Sequence, residues 1–525
     1  MSSTAERPLL VLFFLHATNF DRVFENFLRA LLERGHRVEV LVDIEKRRAV
    51  QGSGLVFDRL ESEYPDRFAS GLTPERTDPW LRRATQWRLA LDWLRFLEPE
   101  FEHATALRER ARRRAPRLLR LLVERTPNGR ERMARRLRAA EAALPVSDRL
   151  RELIGSRSPD VVLVSPLVGL GSSQADYLRA ARSLGTPVVL PVASWDNLTN
   201  KGRLRDVPDG TIVWNAVQVE EAVRLHDLPR EGVEATGAHA FDHWFEWEPS
   251  TTYEAFAAKV GIDADTPMIL YVGSSTFIAK DEVGYVRDWV AALRTSRNED
   301  LRRCSVVVRP HPQHAAQWAD VDLGPGVVVF PQGGVAPIAE QAKADYYDSL
   351  HHCRAVVGLN TSAQIEAAIV RRPVLTFLDE RFKTTQEGTL HFAYLTGTDD
   401  AGVVTVARSW GEHLDQLAGA IADPEAAARR LERFLRAFVR PHGLDEPAAP
   451  RAAAAVERMA QALGAQPAAG LAQDGSQRAV SPAGLLALRV LSVDVPRLRM
   501  PSAPVRTYRK TRVKLGAIAG RGQSP

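Results

Sequence analysis

The sequence predicts an α/β protein of two tandem domains, each built on a doubly wound parallel sheet. At 525 residues the chain exceeds one ordinary domain. Its strand-length apolar runs are near-continuous rather than alternating, the pattern of parallel strands covered on both faces. Helical patterns lie between those runs, as right-handed βαβ crossovers require.

The first forty residues show the unit. Leu9 to Leu15 read as a strand, and His16-Ala-Thr-Asn-Phe-Asp21 as the polar turn that opens a helix. Val23, Phe24, Phe27, Leu28 and Leu31 recur at three- and four-residue spacing, and Gly35 stands where a helix ends in the left-handed conformation. His36 to Val42 then reads as a second strand.

A helical, arginine-heavy stretch follows, with Trp80, Trp87, Trp93 and Phe96 interleaved. It reads as an insertion over about residues 60–150 of a first domain spanning 1–240. Its arginines serve either as a basic acceptor or membrane-facing patch or, more simply, as the solvated coat of helix faces. Strand patterns resume with Asp160-Val-Val-Leu-Val, Pro187-Val-Val-Leu-Pro and Gly210-Thr-Ile-Val. A polar and aromatic linker is expected over 241–265. A second series, at Met268, Ser305, Val327, Ala355 and Val374, forms a domain over 266–460. Residues 461–525 are expected to be a poorly ordered basic tail.

Apolar residues at 45% and charged residues at 26% exclude wholesale disorder. A formal charge of +5 suits anionic small partners or lipid head groups and does not call for nucleic acid. Cys304 and Cys353 stand outside any zinc spacing, which excludes a disulfide scaffold and a zinc module. The Leu9–Leu15 run is too short for a membrane span, so a cytoplasmic chain is expected.

Ligands of doubly wound sheets bind beyond the carboxyl ends of the strands. Five segments at such positions are polar: His16-Ala-Thr-Asn, Ser194-Trp-Asp-Asn, Gly273-Ser-Ser-Thr, Arg309-Pro-His-Pro and Asn360-Thr-Ser-Ala-Gln-Ile-Glu. In the last, Asn360, Thr361 and Ser362 open a helix, whose amides and dipole favour a phosphate. Glu366, one turn on, suits a vicinal diol such as ribose; the same pattern also serves as an ordinary N-cap. In Arg309-Pro-His-Pro the prolines fix the path so that Arg309 and His311 can meet a ligand. Gly273, Ser274 and Ser275 offer close backbone approach and hydroxyls, but match neither GxGxxG nor GxxxxGK[ST]. Asp263-Ala-Asp265 and Asp320-Val-Asp322 match a metal-binding DxD pattern, yet neither follows a strand and no metal is assigned to them.

These segments, above all Arg309-Pro-His-Pro and Asn360-Thr-Ser-Ala-Gln-Ile-Glu-Ala, resemble the GT-B glycosyltransferase superfamily. Within it the likeness is to bacterial surface-polymer enzymes of the CDP-glycerol glycerophosphotransferase and capsule polysaccharide transferase type. The resemblance implies two Rossmann-like domains and a nucleotide-activated donor as substrate, with no cofactor. The acceptor would be a saccharide or a lipid-linked one. It implies that Arg309 and His311 meet donor phosphate, that Thr361 and Ser362 hold the pyrophosphate and that Glu366 binds the ribose. No catalytic base is carried over. His16, at the end of the first strand, is the leading candidate because histidine titrates near neutral pH, and Asp196 is the second.

Two other readings use the same residues: a sugar-nucleotide 2-epimerase of the same fold, and a non-catalytic scaffold of a polysaccharide assembly complex. The apolar then basic end, from Leu485 through Arg497 to Lys514, would hold the protein peripherally at an anionic inner membrane face.

Overall fold

The computed structural model of the chain describes residues 7–43, 54–74, 78–125, 128–397 and 402–464. The basic tail expected beyond residue 464 lies outside the described residues.

Two all-parallel sheets follow one another along the chain. The first comprises β1 (Leu10–Leu15), β2 (Arg37–Val42), β3 (Phe68–Leu72), β4 (Val161–Ser165), β5 (Val188–Pro191), β6 (Gly210–Val213) and β7 (Val233–Ala235). Its spatial order is β3-β2-β1-β4-β5-β6-β7. The second comprises β8 (Met268–Val272), β9 (Ser305–Arg309), β10 (Val327–Val329), β11 (Ala355–Gly358), β12 (Val374–Phe377) and β13 (Val404–Ala407), in the order β10-β9-β8-β11-β12-β13. Each sheet grows in one direction from its first strand and then reverses, placing a crevice beside β1 and β4 in one and beside β8 and β11 in the other. This is the tandem doubly wound architecture that the GT-B resemblance implies.

The sequence dictates this locally. All of β4, β5, β8, β9 and β11 is buried, so both sheet faces are covered. Helix α1 (Asp21–Glu33) buries Phe24, Phe27, Leu28 and Leu31 against β1, with Phe24 edge-on to Phe13 at 4.9 Å. It ends as expected. Gly35 takes φ +89°, Gly35 N–H donates to Leu32 O at 3.0 Å and His36 N–H to Leu31 O at 3.2 Å. That double bond is the Schellman closure, which needs a residue free to adopt positive φ.

The insertion has a core of its own. Helices α2 (Leu81–Arg95) and α3 (Gly129–Ala142) enclose Trp87, Trp93 and Phe96, all buried. Arg88, fully buried on α2, bonds Asp176 through two nitrogens at 3.0 and 2.7 Å and Glu141 at 2.7 Å, tying the insertion to the first sheet's helices. The aromatic residues therefore pack inward. The stretch is not helical throughout, because β3 lies within it as the edge strand beside β2.

Two further departures concern boundaries. The stretch expected as a linker over 241–265 is folded, with Phe241, Trp244 and Phe256 in the second sheet's core. In that second unit, α4 (Glu340–His352) precedes β11 and α5 (Ala363–Ile369) connects β11 to β12. The last helix, α6 (Ala448–Gly464), is grouped by sequence with the second sheet but packs on the first. Its Ala452, Ala453 and Val456 join the core of α1, and Glu457 accepts from His36 Nε2 at 2.7 Å and pairs with Arg34. Small side chains on that face permit the close approach.

Candidate functional site

The carboxyl ends of β8, β9 and β11 open onto a cleft of about 240 Å³ that also meets the first unit. Gly273, Arg309, His311, Thr361, Ser362 and Glu366 line it, so six of the nine residues expected to bind donor converge. The cleft is completed from the first unit by Asn19 and Arg22 at the start of α1, and from α4 by Tyr346.

Gly273 is required by packing rather than by a turn. A Cβ there would lie 2.9 Å from His311 N and 3.1 Å from Arg309 O, so only glycine lets the ends of β8 and β9 meet. Arg309 itself is buried. Its guanidinium lies over the Tyr346 ring at 4.5 Å and reaches Ser349 Oγ at 3.3 Å, while Nη2 is buried with no hydrogen-bond partner. Burial pushes its pKa down to about 10, which still leaves it charged at neutral pH. A buried cation with an unsatisfied donor is costly unless an anion meets it.

His311 follows Pro310, and its Nδ1 accepts from Gln313 N–H at 3.2 Å. With the ring neutral, Nε2 then carries the hydrogen and is a donor. Burial, with the Arg22 and His314 charges, lowers its pKa to about 4, so it stays neutral at physiological pH. Glu366 Oε2 accepts from the Tyr346 hydroxyl. Burial raises the Glu366 carboxyl despite that bond and the nearby charges of Arg22 and Arg309.

The helix start at α5 is weaker than its sequence suggests. Thr361 N–H donates to Gln364 Oε1 at 3.1 Å, α5 has seven residues, and Ser362 Oγ accepts from Trp195 Nε1 at 3.0 Å across the two units. The fixed charges of Arg22 and Arg309, rather than the helix end, dominate the field here.

Three expected binders lie elsewhere. Ser274 is fully buried, and its amide donates to both oxygens of Glu282 at 2.9 and 3.0 Å. Asn360 is buried and spends its Nδ2 on Gln386 O and Thr389 Oγ1. Ser275 is partly exposed outside the cleft lining, its carbonyl accepting from Ile278 and Ala279. Asp263 and Asp322 each cap a turn two residues on, at Asp265 N and Gly324 N. Among the described residues, no group of three His, Cys, Asp or Glu side chains is placed to hold a metal ion.

Glu282 supports the Gly273 turn from below and carries a testable titration. Burial pushes it up to about 7 from its ordinary 4.5, while the bonds from Tyr271 Oη and Ser274 N favour the charged form. A raised folded pKa stabilises the fold fully below pH 4.5, and that contribution is lost as pH rises to about 7. Glu282→Gln is expected to flatten the denaturation stability profile across this window, a span on the order of 3 kcal/mol. An unchanged slope assigns the dependence to other groups.

The two base candidates differ. His16 directly follows β1, its amide donating to Ser165 O at 3.2 Å and its ring edge-on to Phe20 at 6.5 Å, three residues before Asn19 of the cleft. Asp196 accepts from Ser194 Oγ at 2.7 Å and from Asn200 Nδ2 at 3.2 Å, with Lys201 Nζ 3.8 Å away. The Lys201 charge and these hydrogen bonds, with His391 nearby, hold its carboxyl well below the usual range despite burial. An anion so stabilised is a weak base.

No family model and no curated protein matches this chain. Among solved structures, it is similar to a putative UDP-N-acetylglucosamine 2-epimerase from Listeria monocytogenes. The two are 13% identical with a TM-score of 0.48, over 86% of this chain and 96% of the other. A glycosyltransferase from Rickettsia africae is 8% identical with a TM-score of 0.47, over 88% and 100%. The calicheamicin glycosyltransferase CalG4 is 15% identical with a TM-score of 0.42, over 86% and 98%.

Sequence reasoning missed Arg22 and Tyr346, and reached Asn19 only as the last residue of the His16-Ala-Thr-Asn segment. For Arg22 a signal existed, since a cation in the first turn of a helix opposes the dipole and needs another reason to be there. Tyr346 lies mid-helix among ordinary core positions and carries no such mark.

Proposed function

We propose that the cleft binds the diphosphate and ribose of a nucleotide-activated donor. The chain transfers the donor's sugar, or a related phosphorylated group, to a hydroxyl of a saccharide or lipid-linked acceptor in surface polysaccharide or glycoconjugate synthesis. The observation that carries this reading is Arg309, a buried guanidinium with an unpartnered Nη2 in the wall of the cleft. Arg22 supplies a second cation from the opposite unit, and His311 a neutral N–H donor.

Breaking the bond between sugar and phosphate builds negative charge on the leaving diphosphate. Fixed cations and N–H donors already in place stabilise that charge without reorganising. Glu366, one oxygen of which holds Tyr346, has the other with which to accept from a ribose hydroxyl. The acceptor's proton goes to His16 on the first unit's side.

The test is calorimetric titration of UDP, GDP and CDP into the full chain and into Arg309→Ala. A single charge-assisted phosphate contact is worth about 1.5 to 3 kcal/mol. The variant should therefore bind its nucleotide roughly ten- to a hundredfold more weakly at unchanged melting temperature. Equal affinity of variant and wild type removes the diphosphate from this cleft.

A further inference from the structure

Outside the donor cleft, and sharing no lining residue with it, the insertion and the loop after Asn200 enclose a second cavity of about 390 Å³. Arg95, Arg130, Arg135, Arg138, Arg203 and Arg205 line it, against Glu98 and Glu131. Six guanidinium groups converging on one hollow repel each other unless carboxylates are distributed among them.

Of the two lining carboxylates, Glu98 lies 3.8 Å from Arg203 and Glu131 makes no hydrogen bond or salt bridge among the described residues, so two carboxylates face six guanidinium groups, and the other carboxylates nearby are engaged. Asp92 pairs with Arg205 and accepts from Gly171 N, Asp227 pairs with Arg203, and Glu141 bonds Arg88. Arg95 is buried, its Nη1 and Nη2 bonding the carbonyls of Leu198, Lys201 and Gly202 and meeting the ring of His226, with the guanidinium over the Phe101 ring at 5.1 Å. Its Nε is buried with no partner. Arg130 bonds the Leu97 carbonyl alone, and Arg135 and Arg138 make no hydrogen bond or salt bridge among the described residues. Burial lowers the pKa of Arg95 and Arg138, and the Arg203 and Arg205 charges add to it against the partial offset of Asp92 and Glu98 at Arg95 and of Glu98 and Asp227 at Arg138.

Solvated arginine coats do not look like this. On such a surface the guanidinium heads spread into water; here they line a concave space with one of them buried and incompletely bonded. From this convergence we infer that the cavity is a second anion site, which takes a phosphate-bearing group of at least two negative charges. Arg135 and Arg138, one turn apart on α3, are its open contacts, and Arg95 is its floor.

The test uses inorganic pyrophosphate titrated into the full chain at low ionic strength, where exposed charges are least screened. Arg309→Ala, which disables the donor cleft, should retain one pyrophosphate-binding event. Adding Arg135→Gln and Arg138→Gln should weaken that event at least tenfold, with no change in melting temperature because both side chains are exposed. A parallel arm measures sedimentation with vesicles containing phosphatidic acid. Binding only to vesicles, and dependent on the same two arginines, identifies the phosphate as a lipid head group; binding of free pyrophosphate identifies a soluble ligand. Binding that the Arg135 and Arg138 substitutions leave unchanged, or no binding in either arm, overturns the site.

Discussion

Gly273→Ala is expected to weaken donor binding about a hundredfold and to destabilise the fold by about 1–3 kcal/mol, the usual cost of overpacking. The added Cβ would stand 2.9 Å from His311 N and 3.1 Å from Arg309 O. Both obstacles are backbone atoms, so no side-chain rotation relieves the clash. The ends of β8 and β9 must part, and they carry the two residues on which the proposed diphosphate site depends. A displacement of about 1 Å at a binding group suffices for an effect of that size. Gly333→Ala is the control, because a Cβ there meets nothing within 4 Å. Nucleotide calorimetry and thermal melting of both variants decide the matter. If Gly273→Ala melts lower yet binds as tightly as Gly333→Ala, the β8 end is structural and lies outside the donor site.

The elements legible in the sequence are those whose cores are simple. β1 and α1 announce themselves through an unbroken apolar run and a regular apolar stripe, and Gly35 marks the stop. What escaped were edge strands. β3 buries one of its five residues, and β7 is three residues long and only partly buried, so neither accumulates the apolar run that signals a covered strand. The folded character of 241–265 escaped for the opposite reason. Phe241 and Trp244 are buried in a short 3-10 turn, His239–Phe245, and Phe256 in a helix of eight residues, Tyr253–Val260, both too short to show a period.

The cleft was half legible for a reason that lies in strand geometry. Parallel strands deliver their carboxyl ends to one edge, so polar residues just after apolar runs converge whatever their order in sequence. Alternation then separates neighbours: Gly273 lines the cleft, while the Ser274 side chain next to it turns into the core. Sequence could place the segment but not choose the face. Arg22 belongs to the other unit, and its approach to Arg309 and Glu366 follows from how α1 meets the second sheet.

His16→Ala is expected to lower turnover by about 10²–10⁴ while leaving donor affinity within about twofold, the signature of a lost general base. His16 directly follows β1, the strand at which the first sheet reverses its order, and Asn19 and Arg22, just beyond it, already line the cleft. Asp196, the other candidate, is held as a stable anion by Ser194, Asn200 and Lys201, which removes its appetite for a proton. His311, though in the cleft, has Nδ1 occupied by Gln313 N–H and offers a donor rather than a base. The measurement is single-turnover release of nucleotide from the donor that the calorimetric screen identifies, with and without acceptor, alongside donor affinity for each chain. Wild-type release that needs acceptor, and is lost in His16→Ala at unchanged affinity, supports the assignment. Loss of donor affinity instead would place His16 in the binding wall, and conversion of the donor to its epimer without acceptor would replace transfer by epimerisation.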